Sequence, residues 1–364
     1  MHEEECSMKE KPVVYFAKVQ NDDKEPSIEK KICELFDRAG FSGFVNEGDL
    51  VAVKTHFGEE GNRTHIRANH IRQIVDKIKG RGGKPYLTET SVLYKSRRSN
   101  ALDHILLAFE HGFTYERVGA PIIMADGFLG NWDREIPIGG ECYERVFVAG
   151  DSLAPDKLFV VSHATGHPLS GYGAAFKNMG MGLSSRKGKL EQHSQVAPSV
   201  RPNVCTFCQV CMKWCPENAI IEKDKKAFIV KEKCIGCGEC LAVCRYDAIK
   251  FKWTSTSEIL QKKMVEHAYA IFIEKRERIA FINFLISMTK NCDCMPTEGT
   301  FMDDIGILAS FDPVAIDKAT LDLTEKLHGE NISRMAFPEH DPMIQINHAV
   351  KLKMGSADYT IVEL

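Results

Sequence analysis

Between Cys205 and Cys244 one four-cysteine pattern is written twice, and no other stretch constrains the fold as strongly. Cys205, Cys208, Cys211 and Cys215 are repeated as Cys234, Cys237, Cys240 and Cys244 with identical C-x2-C-x2-C-x3-C spacing, so eight of the thirteen cysteines fall within forty residues. A [4Fe–4S] cube needs four thiolates at tetrahedral corners. Three come from a short loop that wraps the cube, and the fourth cysteine of the run reaches the other cube. This spacing assigns Cys205, Cys208, Cys211 and Cys244 to one cluster, and Cys234, Cys237, Cys240 and Cys215 to a second.

Two other uses of cysteine compete. Zinc sites typically pair C-x2-C knuckles across a longer spacer, and a disulfide framework needs an oxidising compartment. Gly236 and Gly238 allow the tight turns a cluster loop requires, and Ala219-Ile220 and Ala248-Ile249 follow each fourth cysteine at the same offset. The segment 200–253 resembles the bacterial two-cluster ferredoxins, which implies a pseudo-symmetric pair of strand–loop–helix halves. Arg245 departs from that pattern, standing where the second run would carry the counterpart of Pro216. Ligation is by thiolate, so the departure bears on loop geometry and potential.

The remaining composition is that of an ordinary globular chain: 364 residues, 44% hydrophobic, 27% charged, net charge −3. That length suits about two domains. The weak net charge offers no footprint for nucleic acid or an anionic membrane, which leaves a small molecule or a protein as partner. The acidic, polar lead over residues 1–12 reads as a frayed terminus without the apolar core of a signal peptide. The apolar stretches Ala268–Ile273 and Ile279–Met288 are split by charged residues and are too short to span a bilayer. Free thiols and oxygen-sensitive ligands point to a reducing cytoplasm.

Outside the cysteine module the chain alternates β-branched runs with amphipathic stretches, the pattern of an α/β fold with a mostly parallel sheet and helices on both faces. Strands are expected over Val13–Val19, Leu50–Phe57, Lys84–Thr90, Pro121–Ala125, Tyr143–Ala149, Leu158–Val161, Ile279–Met288, Ile305–Ala309 and Tyr359–Leu364. Helices are expected over Ser27–Ala39, Asn69–Gly80, Asn100–Glu110, from a Ser255-x-x-Glu258 capping box to Ile273, from the Asp312-Pro313 cap to Leu327, and over Pro342–Met354. The grammar resumes after the module. Residues 13–199 and 254–364 therefore form one discontinuous domain, with 200–253 as an α+β ferredoxin-like insert.

In such sheets ligands sit beyond the carboxyl ends of the strands. Those ends are polar: Lys54-Thr-His56, Thr88-Glu-Thr-Ser91, Asp126-Gly127, Ser162 to His167, Asn291-Cys-Asp-Cys294 and Ser310-Phe-Asp312. Lys54, Arg63, Arg67 and Lys177 suit a carboxylate or phosphate, with Gly58, Gly61, Gly180 and Gly182 permitting close backbone approach. His56, His65, His163 and His167 are acid/base or metal-ligand candidates. Lys54, His56, His163, His167 and Lys177 are taken as the catalytic set, and Asn178 joins Lys54, His56 and Lys177 in an expected anion pocket facing the insert. Cys292 and Cys294 point to one side of an extended chain, which suits a third metal or a redox pair; small buried hydrophobes are the alternative. Each strand-end polar residue has a second reading as a cap or turn former. Gly171-Tyr-Gly173 lacks the third glycine of a dinucleotide fingerprint, and the 182–190 glycines are misspaced for a P-loop, so no flavin or nicotinamide is implied.

Val53-Lys-Thr-His56-Phe-Gly-Glu59, Ala175-Phe-Lys177-Asn-Met-Gly180-Met-Gly182, the two cysteine runs, Cys292-Asp-Cys294, Asp304 to Ser310 and Asp312-Pro-Val-Ala-Ile-Asp317-Lys, in this order, resemble the family grouped as domain of unknown function 362. The resemblance implies an α/β domain carrying a two-cluster insert and no settled reaction. The expected function is an iron–sulfur oxidoreductase whose two [4Fe–4S] clusters pass electrons between a soluble donor or redox partner protein and a small anionic substrate. A non-catalytic electron-transfer subunit or scaffold, and a metal-dependent non-redox enzyme with structural clusters, are the alternatives.

Overall fold

Along Leu50–Lys54 (β2), Val51 and Val53 enter one apolar cluster while Ala52 enters another; along Lys157–His163 (β5), Phe159 and Val161 part from Leu158 and Val160 in the same way. Successive side chains of a strand point to opposite faces, so a strand apolar on both is one covered on both. The computed structural model describes residues 10–194, 196–296 and 299–364. The expected frayed lead, 1–12, falls mostly outside them; of its described residues, Pro12 accepts a bond from the Thr360 amide (2.9 Å).

The main sheet has eight strands: β1 (Val13–Lys18), β2, β3 (Lys84–Glu89), β4 (Ile122–Met124), β5, β6 (Ile279–Leu285), β7 (Gly306–Ser310) and β8 (Thr360–Glu363), in spatial order β8-β1-β7-β6-β5-β2-β3-β4. Every pairing is parallel except those of β7, which runs against β1 and β6. Helices α1 (Glu25–Arg38) and α2 (Ala68–Gly80) cover one face; α3 (Ala175–Gly180), α5 (Ser257–Lys275), α6 (Pro313–His328) and α7 (Met343–Lys351) cover the other, with α4 (Arg186–His193) beside them. The fold is α/β with a mostly parallel sheet.

The reversal of β7 corrects one expectation. Its carboxyl end lies with the amino ends of its neighbours, where the Ser310 hydroxyl donates to the Val13 carbonyl (2.8 Å). Ser310 to Asp312 therefore leave the strand-end ring, and Asp312 instead caps α6 by accepting from the Val314 and Ala315 amides (2.8 Å each). Three further boundaries differ. Helix α1 begins at Glu25 with Pro26 in its first turn, not at Ser27; Thr256 rather than Ser255 caps α5, because the Ser255 hydroxyl is spent on the Gln192 carbonyl (2.7 Å); and Arg145–Ala149 pairs with Asp133–Pro137 outside the main sheet.

The connection from β5 to β6 carries α3, α4, the cysteine segment and α5 in turn. Ser199–Val200 pairs antiparallel with Ile249–Lys250, so the cysteine segment leaves and returns at one place. Inside that clasp stand a hairpin (Ile220–Lys223 with Lys226–Ile229), two helical turns (Val210–Lys213 and Glu239–Val243) and a separate apolar cluster. The left-handed positions repeat across the halves: Phe207 and Gln209 (φ 55° and 63°) match Gly236 and Gly238 (69° and 75°), and Asn218 matches Asp247 (48° and 53°).

Candidate functional site

The eight thiols of the doubled pattern line two cavities. Cys205, Cys208, Cys211 and Cys244 border one of about 300 Å3, and Cys234, Cys237, Cys240 and Cys215 border one of about 360 Å3. Each cavity thus takes three thiols from one run and the fourth from the other. Backbone amides already face the sulfurs: Ala219 donates to Cys215 Sγ and Ala248 to Cys244 Sγ (3.2 Å each), and Phe207 to Cys205 Sγ (3.4 Å). Amides of this kind tune the potential of a cluster bound to those sulfurs. Burial and then the neighbouring thiols push the Cys211 thiol up to about 11, and a bound metal is what would hold it as a thiolate. Among the described residues, no three His, Cys, Asp or Glu side chains stand together as ligands of a single ion. A lone zinc would pull four thiolates to within about 3.8 Å of each other, given Zn–S lengths of about 2.3 Å; a cube gives each thiolate its own iron. The donor set fits the clusters.

A larger cavity of about 760 Å3 opens at the carboxyl edge of the sheet. His56 follows β2; Glu89 ends β3, and Thr90, Val92 to Tyr94 and Arg98 follow it; His163 ends β5; Lys177 and Asn178 come from α3, Lys189 and His193 from α4, Asp293 and Cys294 from the loop after β6, and Trp253 from the segment before α5. Helix α3 is held in place by Asp317 of α6, whose carboxylate accepts from the Ala175 and Phe176 amides and from Asn283 (2.9 Å each). Gly173 must be glycine for Lys177 to fold back: a Cβ there would meet Lys177 Cδ at 2.3 Å.

The cavity floor is ionic. Lys54, wholly buried, donates to Glu89 (2.6 Å) and to Asn178 Oδ1 (2.8 Å). Burial alone would raise the Glu89 carboxyl, yet Lys54 and nearby cations hold it at about 2. Burial likewise opposes ionisation of Asp293, which His163 nevertheless holds at about 2 through a 2.9 Å bond. Arg98, 2% exposed, bonds Glu59 (3.1 Å) and Tyr94 (2.6 Å) and stands 2.8 Å from His56 Nε2. Gly58 N–H donates to His56 Nδ1 (2.9 Å), and Nε2 of the same ring, beside Arg98, stands 3.5 Å from Cys294 Sγ. Lys177 Nζ approaches the same sulfur at 3.9 Å. The Cys294 thiol is held well below its ordinary range, first by a hydrogen bond from Cys292 and then, against burial, by Lys177, Arg98 and His56. Burial lowers the Lys189 ammonium to about 8.

Of the expected residues, His56, His163, Lys177, Asn178 and Cys294 line this cavity. Lys54 lies beneath it, covered by Glu89 and Asn178, and so positions them rather than meeting a ligand. His163 has both ring nitrogens engaged, by Asp293 and the Ile286 carbonyl (2.8 Å). His167 accepts from the Leu169 and Ser170 amides and holds a turn. Arg67 pairs with Glu25 at the surface, Arg63 is exposed outside the lining, and His65 stacks on His111 (4.7 Å). Gly180 and Gly58 permit close approach, but by protein: a Cβ would meet the Met264 carbonyl at 2.0 Å and His65 Nδ1 at 2.8 Å. With His163 and His167 committed, neither completes a third metal site with Cys292 and Cys294, and Thr297 of that turn lies outside the described residues. Arg98, Tyr94, Lys189, His193 and Trp253 escaped the sequence reading. Arg98 sits in Lys95-Ser-Arg-Arg98, a charged run that reads as solvated surface.

The chain is 33% identical over 84 residues to pyruvate synthase subunit PorD of Methanothermobacter marburgensis, covering 23% of this chain and 96% of that protein. It is 38% identical over 56 residues to a provisionally named dimethyl sulfoxide reductase iron-sulfur subunit of Halobacterium salinarum (15% of this chain, 21% of that protein) and 36% over 67 residues to hydrogenase-4 component A of Escherichia coli (16% and 33%). The chain thus spans a third or less of the last two. A family model described as domain of unknown function DUF362 matches residues 51–322. Running from β2 into α6, that match takes in most of the main sheet, the cysteine segment and the loop of Cys294, and the chain belongs to the DUF362 family.

Proposed function

We propose that the chain is an iron–sulfur redox protein: two [4Fe–4S] clusters, ligated crosswise by the thiols of the two smaller cavities, exchange electrons with a small anion bound in the large one. The observation that carries this is the division of the eight thiols, three from one run with the fourth from the other, around each cavity. When bound, the clusters supply single electrons. The chain's own residues do the rest: Lys177 and Lys189 offer charge to an anion, Asn178 and Glu89 are held by Lys54, and Trp253 packs edge-on against His193 (4.4 Å) at the cavity mouth. Residues 200–253 are read as an insert in a discontinuous domain of 13–199 and 254–364, working in a reducing cytoplasm with a soluble donor or redox partner protein. Among the described residues, no helix is long and apolar enough to cross a membrane.

Anaerobic purification tests the reading. About eight irons and as much acid-labile sulfide per chain are expected, with cluster signals that appear on chemical reduction. Tightly bound zinc in place of iron would overturn it.

A further inference from the structure

We infer that Cys294 is a nucleophilic thiolate that adds to the aldehyde or ketone carbon of a small 2-oxo carboxylate held in the large cavity. This deepens the proposed function, resting on its anion-binding cavity and not on its clusters.

The thiol is built into position. Its loop is pinned on both sides, by the His163–Asp293 bond (2.9 Å), by the Glu59 amide donating to the Asp293 carbonyl (2.9 Å), and by the Tyr94 hydroxyl donating to the Cys294 carbonyl (3.3 Å). Cys292 is buried and Cys294 is half-buried, so of the pair it is Cys294 whose sulfur reaches the cavity. A nucleophilic cysteine is activated by adjacent cations and donors. Here Lys177 Nζ lies 3.9 Å away and His56 Nε2 3.5 Å away, with the Arg98 guanidinium 2.8 Å from that ring nitrogen and the Cys292 thiol donating from the same loop. Tyr94, Lys54, His167 and His193 are further titratable groups that act on this sulfur.

Charge around the cavity indicates what is attacked. Lys54 is matched by Glu89, Arg98 by Glu59, His163 by Asp293 and Lys177 by the thiolate. Lys189 has no direct ion pair among the described residues: its ammonium bonds the Thr90 hydroxyl (2.6 Å) and the Ser184 carbonyl (2.7 Å), and the buried carboxyls of Asp126 and Glu89 act on it only from farther off. His193, 6% exposed and lining the same cavity, has a ring nitrogen, Nδ1, without a hydrogen-bond partner. A carboxylate satisfies Lys189. Attack at a carbonyl forms one S–C bond as the carbonyl π pair moves to oxygen, so the negative charge passes from sulfur to oxygen and Lys177 balances it before and after. No electron is lost and no proton is required in that step.

Carboxymethylation of anaerobic protein of measured iron content tests this without a known substrate. In the reagent reaction Cys294 Sγ displaces iodide, and peptide mass spectrometry reads the site. Cys294 is expected to react first, at least tenfold faster with iodoacetate than with iodoacetamide, at a rate nearly level from pH 8 to pH 6. Lys189→Ala is expected to reduce that preference at least threefold, and glyoxylate to protect Cys294 at concentrations where acetate does not. Equal rates for the two reagents, a rate that climbs only toward pH 9, or protection by acetate equal to that by glyoxylate would each overturn the inference. Iron measured in the same sample separates this failure from failure of the cluster reading.

Discussion

Gly238, in the second cysteine loop, lies flat against Arg186: a Cβ on Gly238 would stand 3.3 Å from Arg186 Cγ. The Arg186 guanidinium donates to the carbonyls of Leu129 (3.1 Å), Val92 (2.8 Å) and Ser99 (2.6 Å), and Val92 lines the large cavity. One buried side chain therefore joins the cavity of Cys215, Cys234, Cys237 and Cys240 to the carboxyl edge of the sheet. Gly238→Ala adds a Cβ both at that contact and at a φ of +75°, which costs about 1–2 kcal/mol for the backbone alone. Thermal unfolding should show that loss. Gln209→Gly, at the matching position of the first loop, trades a similar strain for chain entropy and should stay within about 0.5 kcal/mol of the parent.

Crossed ligation has its own signature. Cys215→Ser should disturb the cluster wrapped by Cys234, Cys237 and Cys240, and Cys244→Ser the one wrapped by Cys205, Cys208 and Cys211. Each variant should retain about half its iron, with one of two sets of electron-spin signals lost. Loss of the set belonging to the same run would show that the ligation is not crossed.

Lys54 and Glu89 are paired out of water (2.6 Å), so removing one partner strands the other. Lys54→Met should destabilise by about 3–5 kcal/mol, and Lys54→Met with Glu89→Leu should recover most of it, as for other buried pairs. The pH dependence follows from the lowered carboxyls. Glu89 ionises at about 2 in the fold against 4.5 ordinarily, and Asp293 at about 2 against 3.8. Their contribution is present above those ordinary values and is lost as pH falls toward 2. His163, raised against burial by Asp293, contributes with the opposite sign: its share is full below 6.5 and fades as pH rises through its higher folded value. Urea unfolding at stepped pH should show an acid limb below about 4.5 that Glu89→Gln makes shallower.

Asp317 is far from the cavity in sequence and reaches it through α3. Asp317→Ala would leave the Ala175 and Phe176 amides and the Asn283 side chain without their acceptor, at a cost of about 3 kcal/mol. Hydrogen exchange should quicken first across 175–182, ahead of α1 and α2. Uniform exchange through the whole sheet would mean that α3 has no such dependence on Asp317.

Much of the frame was legible from local chemistry. Continuous apolar runs such as Val51–Val53 and Leu158–Val161 mark strands covered on both faces, and the Asn100 and Asp312 caps sit where their side chains meet backbone amides. The doubled cysteine spacing is likewise local, because the reach of a short loop limits which thiols share a cavity. His56 and Cys294 were found by one rule, that strand ends converge; Lys177 and Asn178 came from the segment leading into Gly180 and Gly182.

What sequence alone left open were relations between distant segments. Nothing in Gly306–Ser310 announces that the strand runs backwards; its direction follows from pairing with β1 and β6, and it removed Ser310 and Asp312 from the site. The lysines of the carboxyl edge looked alike until packing divided them, Lys54 beneath the floor against Glu89 and Lys177 beside a sulfur 117 residues away. Arg98 became a core residue only because Glu59, Tyr94 and His56 meet around it. A charge is tolerable in the interior only with its partners in place, and it is the tertiary structure that supplies those partners.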